Sequence, residues 1–448
     1  MSYRQRQIAV PVSDRTASLM MRAIFGLIML VTAMPVYAQT DLHITGAQAG
    51  FPIAVPRMCD QAGKIEVAKG IPAVIGGNLQ ATGLFSVLNQ DSYVETPGKC
   101  DNPAFSDWSI IGAEGLVKGR IAGLDNEGRM EIELFLYDVQ RQTAVVGKRY
   151  RAREDEMRMV AHRFSNEIIK FFTGSSGVFG SRIAFIGQVG RFKELFTVEL
   201  DGTGLKQVTR DRGLVVSPSW DENARTLLYT SYRSRQPELY STSASGGQPK
   251  RLTNRDGLEM SAVYVPGSNS NEILASIGLG GIMKLARMDS RGRVISQLTR
   301  GSSIDVSPSY SPDGSMVAFC SNRSGGPQIY VMDRNGGGAR RISFNSSNYC
   351  TSPEWSPTDN RIIYVCRQGG NQLYMTNLDA GKGTQLTFAG NNEDPSWSPD
   401  GQFVTFASDF ARNRVKNIAV MTLATGTTRQ VTFSQVDNSQ PSWSRVME

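Results

Sequence analysis

The chain has 448 residues and a formal net charge of +7, with 45 glycines, 19 prolines and only 8% aromatic residues. That length is too great for one ordinary core unless a repeat absorbs it, and the glycine and proline content suits turn-rich β-structure rather than a helical bundle. Two histidines and no C-x-x-C pair leave little material for a transition-metal site, and the first 38 residues (four Arg, one Asp) hold three of the seven positive charges, so the remaining excess is too mild for nucleic-acid binding.

In chain order, Arg22 precedes an apolar run over 23–34 and then Val36-Tyr37-Ala38, a small-residue pattern that predicts a secretory signal peptide over 1–38, cut between Ala38 and Gln39. Met21 is a second candidate start, and a buried helix or uncleaved anchor is the weaker alternative. The run is short for a membrane anchor, and no later stretch approaches 18 apolar residues. The mature protein is therefore expected in the periplasm, peripheral to membranes and not inserted. Five cysteines fit such an oxidising compartment.

Residues 39–50 are read as an extended N-terminal segment and 51–174 as an α/β (α+β) domain with helices on one face of a sheet. Strands are expected at 51–55 and 85–88. Pro72 opens a helix that runs to Thr82 and stops at Gly83. Residues 115–124 and 130–139 alternate about Asp125-Asn126-Glu127-Gly128 and form a hairpin, with a further strand at 144–151. A helix over 154–172 carries Met157, Val160, Ala161, Phe164, Ile168 and Phe171 on one stripe, with acids in its first turn. His162 stands off that stripe and is predicted to face solvent. Gly174-Ser175-Ser176-Gly177 is expected to be a flexible hinge.

From 175 to 448 the sequence repeats. Gln207-Val208-Thr209 returns as Arg251-Leu252-Thr253, Gln297-Leu298-Thr299, Arg341-Ile342-Ser343, Gln385-Leu386-Thr387 and Gln430-Val431-Thr432, at spacings of 44, 46, 44, 44 and 45 residues. After each comes an aromatic (Trp220, Tyr264, Tyr310, Trp355, Trp397, Trp443), expected to pack between repeats. The fullest copies continue with Ser311-Pro312-Asp313-Gly314 and Ser398-Pro399-Asp400-Gly401, hairpin turns that use the positive φ of Asp-Gly. Each unit has room for four short strands, one propeller blade. Residues 182–209 supply only the last three strands of a unit and 440–445 only the first. An all-β six-bladed propeller closed by both termini follows.

A search for chemistry returns none. There is no G-x-S-x-G nucleophile motif, and His43 and His162 are poorly placed for a triad. Gly325-Gly326 and Gly336-Gly337-Gly338 precede no helix and lack a P-loop lysine, while Asp313 and Asp400 are turn residues. No catalytic residue, cofactor or metal is expected, and recognition is what remains. Loops entering the innermost strands converge with loops between the second and third strands at one channel mouth. The candidate partner-binding rim is Arg233, Asn254, Glu259, Arg300, Asp305, Arg323, Asn345, Thr351, Arg367, Asn392, Asp394, Asn438 and Gln440. Cys59 and Cys100 are candidates to pair. Antiparallel pairing brings Cys350 near Cys366 with Cys320 on the same face, which allows a rim disulfide without choosing the pair.

Beyond the blades with Pro-x-Trp-Ser-Pro-Asp-Gly, the chain carries Phe51-Pro52-Ile53-Ala54-Val55-Pro56, Trp108-Ser109-Ile110-Ile111-Gly112-Ala113-Glu114 leading into a strand at Val117–Gly119, and Arg182-Ile183-Ala184-Phe185 opening the ring. In that order these resemble the TolB family of the bacterial Tol-Pal system, over essentially the whole mature chain. The resemblance implies a periplasmic protein that binds the lipoprotein Pal at its propeller and TolA through its N-terminal segment; a monomer is expected. It further implies support for outer-membrane integrity and for constriction in cell division, and a foothold for imported toxins. Thr40, Asp41, Leu42, His43 and Ile44 would then face TolA, switching between docked and free as Pal binds. The rim residues come from geometry, not from the family. The competing reading is a secreted propeller that binds or processes a small molecule or glycan.

Overall fold

A computed structural model of the chain describes residues 50–94, 100, 102–255, 257–378, 383–410 and 414–447. The cleavage residues Ala38 and Gln39 and the segment Thr40, Asp41, Leu42, His43 and Ile44 lie outside the described residues. Among the described residues no helix is long and apolar enough to cross a membrane.

The first domain comprises β1 (Phe51–Ala54), β2 (Cys59–Asp60), α1 (Ile65–Ala81), β3 (Phe85–Val87), α2 (Phe105–Ile110), β4 (Gly115–Leu124), β5 (Met130–Asp138), β6 (Thr143–Ala152) and α3 (Met157–Thr173). The sheet order is β3-β1-β4-β5-β6, with β2 beside β4. β1 lies parallel to both β3 and β4, and β4, β5 and β6 form an antiparallel meander. Successive strand residues point to opposite faces. Phe51 meets Phe172 of α3 with ring centroids 4.7 Å apart. Ala54, on the other face, clusters with Trp108 of α2, Leu116 and Val139. Helices thus cover both faces, where one was expected, because β1 is buried on both sides.

α1 begins at Ile65 and not at Pro72, which sits inside the helix. A proline there leaves the carbonyl of Ala68 without its helical donor. The amide of Met58 fills that vacancy at 3.0 Å, so the helix continues through the proline. α3 ends as expected, with Gly174 in the left-handed region at φ 74°.

The second domain is six four-stranded sheets. Blade 2 holds Val215–Trp220, Thr226–Ser231, Glu238–Ser243 and Lys250–Arg251, and blades 3 to 6 follow in sequence, with inner strands Glu259–Tyr264, Asp305–Tyr310, Cys350–Trp355 and Asn392–Trp397. In blade 1 the inner strand is the last of the chain, Asn438–Trp443, paired antiparallel with Arg182–Val189. The aromatic row packs between blades. Trp220 and Trp397 donate their indole N–H to the carbonyls of Ser442 and Glu354 in the preceding blade, at 2.9 and 3.0 Å. Burying an indole this way is worth about 2–3 kcal/mol before its hydrogen bond.

Cys59 bonds Cys100, and Cys350 bonds Cys366 across the two inner strands of blade 5. Cys320 remains a buried thiol, its pKa pushed up to about 12 by burial.

The first domain sits against the turns at one end of the propeller. Arg429 Nε donates to the carbonyl of Ala81 at 2.7 Å, and Thr422 donates to that of Thr82. Arg158 reaches Glu199 at 2.6 Å and Asp201 at 3.1 Å. Ser175 donates to Asp400 at 2.9 Å, and the side chain of Asn166 holds both the amide and the carbonyl of Phe179. The expected flexible hinge is therefore pinned.

His162 is a further correction: it is buried, with Nε2 3.2 Å from Glu199 and Nδ1 3.0 Å from Asn78 Nδ2. α3 is clasped by α1 on one side and by the propeller on the other, so its buried arc is wider than its apolar stripe. With Asn78 donating to Nδ1, Nε2 carries the proton and donates to Glu199. That bond, together with Arg158, holds the Glu199 carboxyl down at about 2 from the usual 4.5.

A folded pKa below the unfolded value means that Glu199 stabilises the protein above about pH 4.5 and that the contribution fades as pH falls toward 2. Glu199→Gln is expected to cost about 1–2 kcal/mol at pH 7, after discounting for partial exposure, and to cost little near pH 2.5. Denaturant unfolding at the two pH values measures this. An equal loss at both would refute the electrostatic account.

Candidate functional site

All six inner strands share one irregularity. Each shifts register after its second residue, and the third adopts the left-handed region: Ser217, Ser261, Ser307, Ser352, Asp394 and Gln440 have φ of 50–55°. A bulge leaves an unpaired position in the ladder, which a proline tolerates. Pro218, Pro308, Pro353, Pro395 and Pro441 follow, with Ala262 as the exception. These segments line a channel cavity of about 280 Å³.

Two carboxyls break its serine lining. Glu354 stands where blades 4 and 6 have Ser309 and Ser396, residues whose hydroxyls accept the amides of Trp355 and Trp443 in the next blade. Glu354 Oε1 does the same for Trp397 at 3.3 Å and accepts Ser396 Oγ at 3.0 Å. Burial still pushes its pKa up to about 8. Asp394 is raised to about 6, by burial first and then by the charge of Glu393. Gln440 closes the ring by accepting the amide of Ser217 at 2.8 Å.

Eleven of the thirteen predicted rim residues fall into three groups. Arg233, Asn254, Arg300, Arg323 and Arg367 are exposed at the mouth. Arg233 pairs with Asp211 at 3.3 Å, Asn254 accepts from Arg251, and Arg367 lies 4.2 Å over the ring of Tyr349. Glu259, Asp305, Asn392 and Asn438 are instead buried and cannot meet a partner directly. Asn392 spans Gln372, Ala389 and Ser408, and Asn438 reaches Thr432 at 3.1 Å. Burial pushes the Glu259 carboxyl up. Asp305 is also fully buried, but hydrogen bonds from Ser321, Arg323 and Lys284 overcome that effect and hold it below its ordinary value. Asp394 and Gln440 form the third group, inside the channel. Thr351 is half-buried in its strand, and Asn345 donates to Cys366 Sγ at 3.1 Å.

Sequence reasoning missed two sets of residues. Lys284 is 3% exposed at its side chain and lies 3.2 Å from Asp305. A lone lysine amid an apolar strand was the available signal. Leu214, Leu258, Ile304 and Tyr349 are exposed just before four consecutive inner strands and make an apolar collar at the mouth. Aligning the repeats at that position exposes it.

The end of the propeller carrying these loops is opposite the end that holds the first domain. Rim loops precede the inner strands and follow the second strands, whereas Glu199, Asp400 and Thr422 sit at the other strand ends.

Comparison with known proteins places this geometry. Residues 41–145 match the TolB amino-terminal domain family and residues 169–447 the TolB beta propeller domain family. The chain is 32% identical over 400 residues to the Tol-Pal system protein TolB of Bordetella parapertussis, covering 86% of each chain. It is 31% identical over 298 residues to a Protein TolB homolog of Chlorobium luteolum, covering 62% of this chain and 66% of that one. The crystal structure of TolB from Acinetobacter baumannii shares the fold with a TM-score of 0.76 at 23% identity, over 89% of this chain and 98% of that one.

The channel yields a pH test. The folded pKa of Glu354 lies above the usual 4.5, so its ionisation between about pH 4.5 and 8 costs stability. Glu354→Gln keeps the Oε1 acceptor and cannot ionise. In buffer containing a chelator it is expected to match the wild type at pH 5 and to exceed it by at least about 1 kcal/mol at pH 8.5 in denaturant unfolding. Identical pH profiles would show that Glu354 is not the titrating group.

Proposed function

Since the chain belongs to the TolB family, as a homologue of the Tol-Pal system protein, we propose that it is a periplasmic scaffold and not an enzyme. Its propeller rim binds the lipoprotein Pal, its N-terminal segment around residues 40–44 binds TolA, and the link supports outer-membrane integrity and constriction at division.

The observation that supports this reading is the division of the propeller's two ends. The first domain occupies one end through Arg158, Arg429 and Ser175, which leaves the rim end open among the described residues. At the open end several acids are ion-paired and several arginines stand exposed, beside the exposed Asp437. Asp211, Glu238, Asp305 and Glu393 each meet a cation, whereas Arg300 and Arg367 meet no carboxylate among the described residues. Such a face is suited to an acidic protein surface and steers its approach.

The test uses soluble domains of Pal and TolA with the mature protein in titration calorimetry. Arg300→Glu with Arg367→Glu is expected to weaken Pal at least about tenfold and to leave TolA binding unchanged. Removal of residues 39–49 should abolish TolA binding and spare Pal. Wild-type protein that binds neither domain would refute the proposal.

A further inference from the structure

The six outer strands end in one repeated arrangement. A Thr or Ser hydroxyl accepts the amide of Leu195, Leu239, Leu285, Ile329, Leu373 or Ile418, at 2.9–3.0 Å in every blade. This bond fixes equivalent positions around the ring. The residue preceding each of those amides is Glu194, Glu238 or Lys284 in blades 1 to 3, but Gln328, Gln372 or Asn417 in blades 4 to 6. The residue after each hydroxyl is Arg210, Asn254 or Arg300 in blades 1 to 3, and Phe344, Phe388 or Phe433 in blades 4 to 6. One half of the ring is charged at both positions except for the neutral Asn254, and the other half is neutral at the first position and aromatic at the second.

The phenylalanines are not core residues. Phe344, Phe388 and Phe433 are 56%, 79% and 78% exposed. Equivalent places in a closed ring share one height, so three consecutive blades offer an apolar arc to a single body. Apolar side chains scattered singly need no explanation, but three at one repeated position on a partner-facing surface do. On the other half, Arg210, Arg212, Arg235 and Arg300 are exposed, and none is paired with a carboxylate among the described residues.

We propose that the rim face is a two-part dock that fixes the orientation of one globular protein partner, whose acidic flank lies over the arginines of blades 1 to 3 and whose apolar ridge seats on Phe344, Phe388 and Phe433. This rests on the rim being the Pal-binding face. It adds which half supplies affinity and which supplies charge steering. Buried aromatic anchors carry most of an interface's affinity, and rim charges mainly set its salt dependence and association rate.

The probe is the soluble Pal domain, titrated at about 50 and 300 mM salt. Phe388→Ser with Phe433→Ser is expected to weaken binding at least about tenfold at both salt concentrations and to leave the ratio between them unchanged. Arg210→Glu with Arg235→Glu should flatten the salt dependence. All four side chains are exposed, so both variants should melt with the wild type. Wild-type binding that neither pair alters would overturn the dock while leaving the functional reading intact. No binding by the wild type would overturn that reading and the dock with it. Phenylalanine variants that keep full Pal affinity but lose co-sedimentation with phosphatidylethanolamine–phosphatidylglycerol vesicles would assign the arc to lipid, and would also overturn the proposal.

Discussion

Everything in the second domain depends on one strand pair, Asn438–Trp443 against Arg182–Val189. Blades of this size bury their faces only against one another, so an open row would leave two faces and two edges bare. The closing strand joins residues more than 250 apart in sequence through backbone pairing and side-chain ties. Trp443 donates to Ser181 Oγ at 2.8 Å, and Ser444 takes the amide of Arg182 at 2.9 Å. Ser181 lies just past the junction with the first domain. The same few residues therefore close the ring and anchor its companion.

Closure makes the six bulges equivalent, and equivalence turns small departures into function. A serine at every bulge would line an even channel; Asp394 and Gln440 instead make one side of it different. Glu354 in place of a serine keeps the inter-blade bond to the next tryptophan while placing a carboxyl in the cavity. The rim follows the same logic, its hydroxyl anchors constant in six blades and the adjoining residues divided between two halves. A symmetric scaffold thereby carries an asymmetric surface.

The repeat was legible in the sequence because strand length, turn chemistry and blade period are local. The 44-residue spacing and the split first unit were enough for blade number and closure. What the sequence hid was burial decided by distant partners. Asp305 reads as a rim acid until Lys284 and Arg323 arrive from neighbouring strands, and His162 reads as solvent-facing until Glu199 arrives from the propeller. Pro72 marked a helix start only because nothing nearby in sequence revealed that Met58 would take the carbonyl it strands. The disulfide register was half visible: strand pairing brought Cys350 to Cys366, but only the fold left Cys320 a buried thiol beside them, its Sγ 3.6 Å from the Cys350 carbonyl.

The claim that closure governs the ring is tested most directly by hydrogen exchange on a chain ending at Asp437. If the closing strand holds the ring together, amide protection should fall in every blade, including blade 4 on the far side, and cooperative unfolding should be lost. Protection lost only over Arg182–Val189 and the neighbouring strand of blade 1, with the other blades unchanged, would contradict the account.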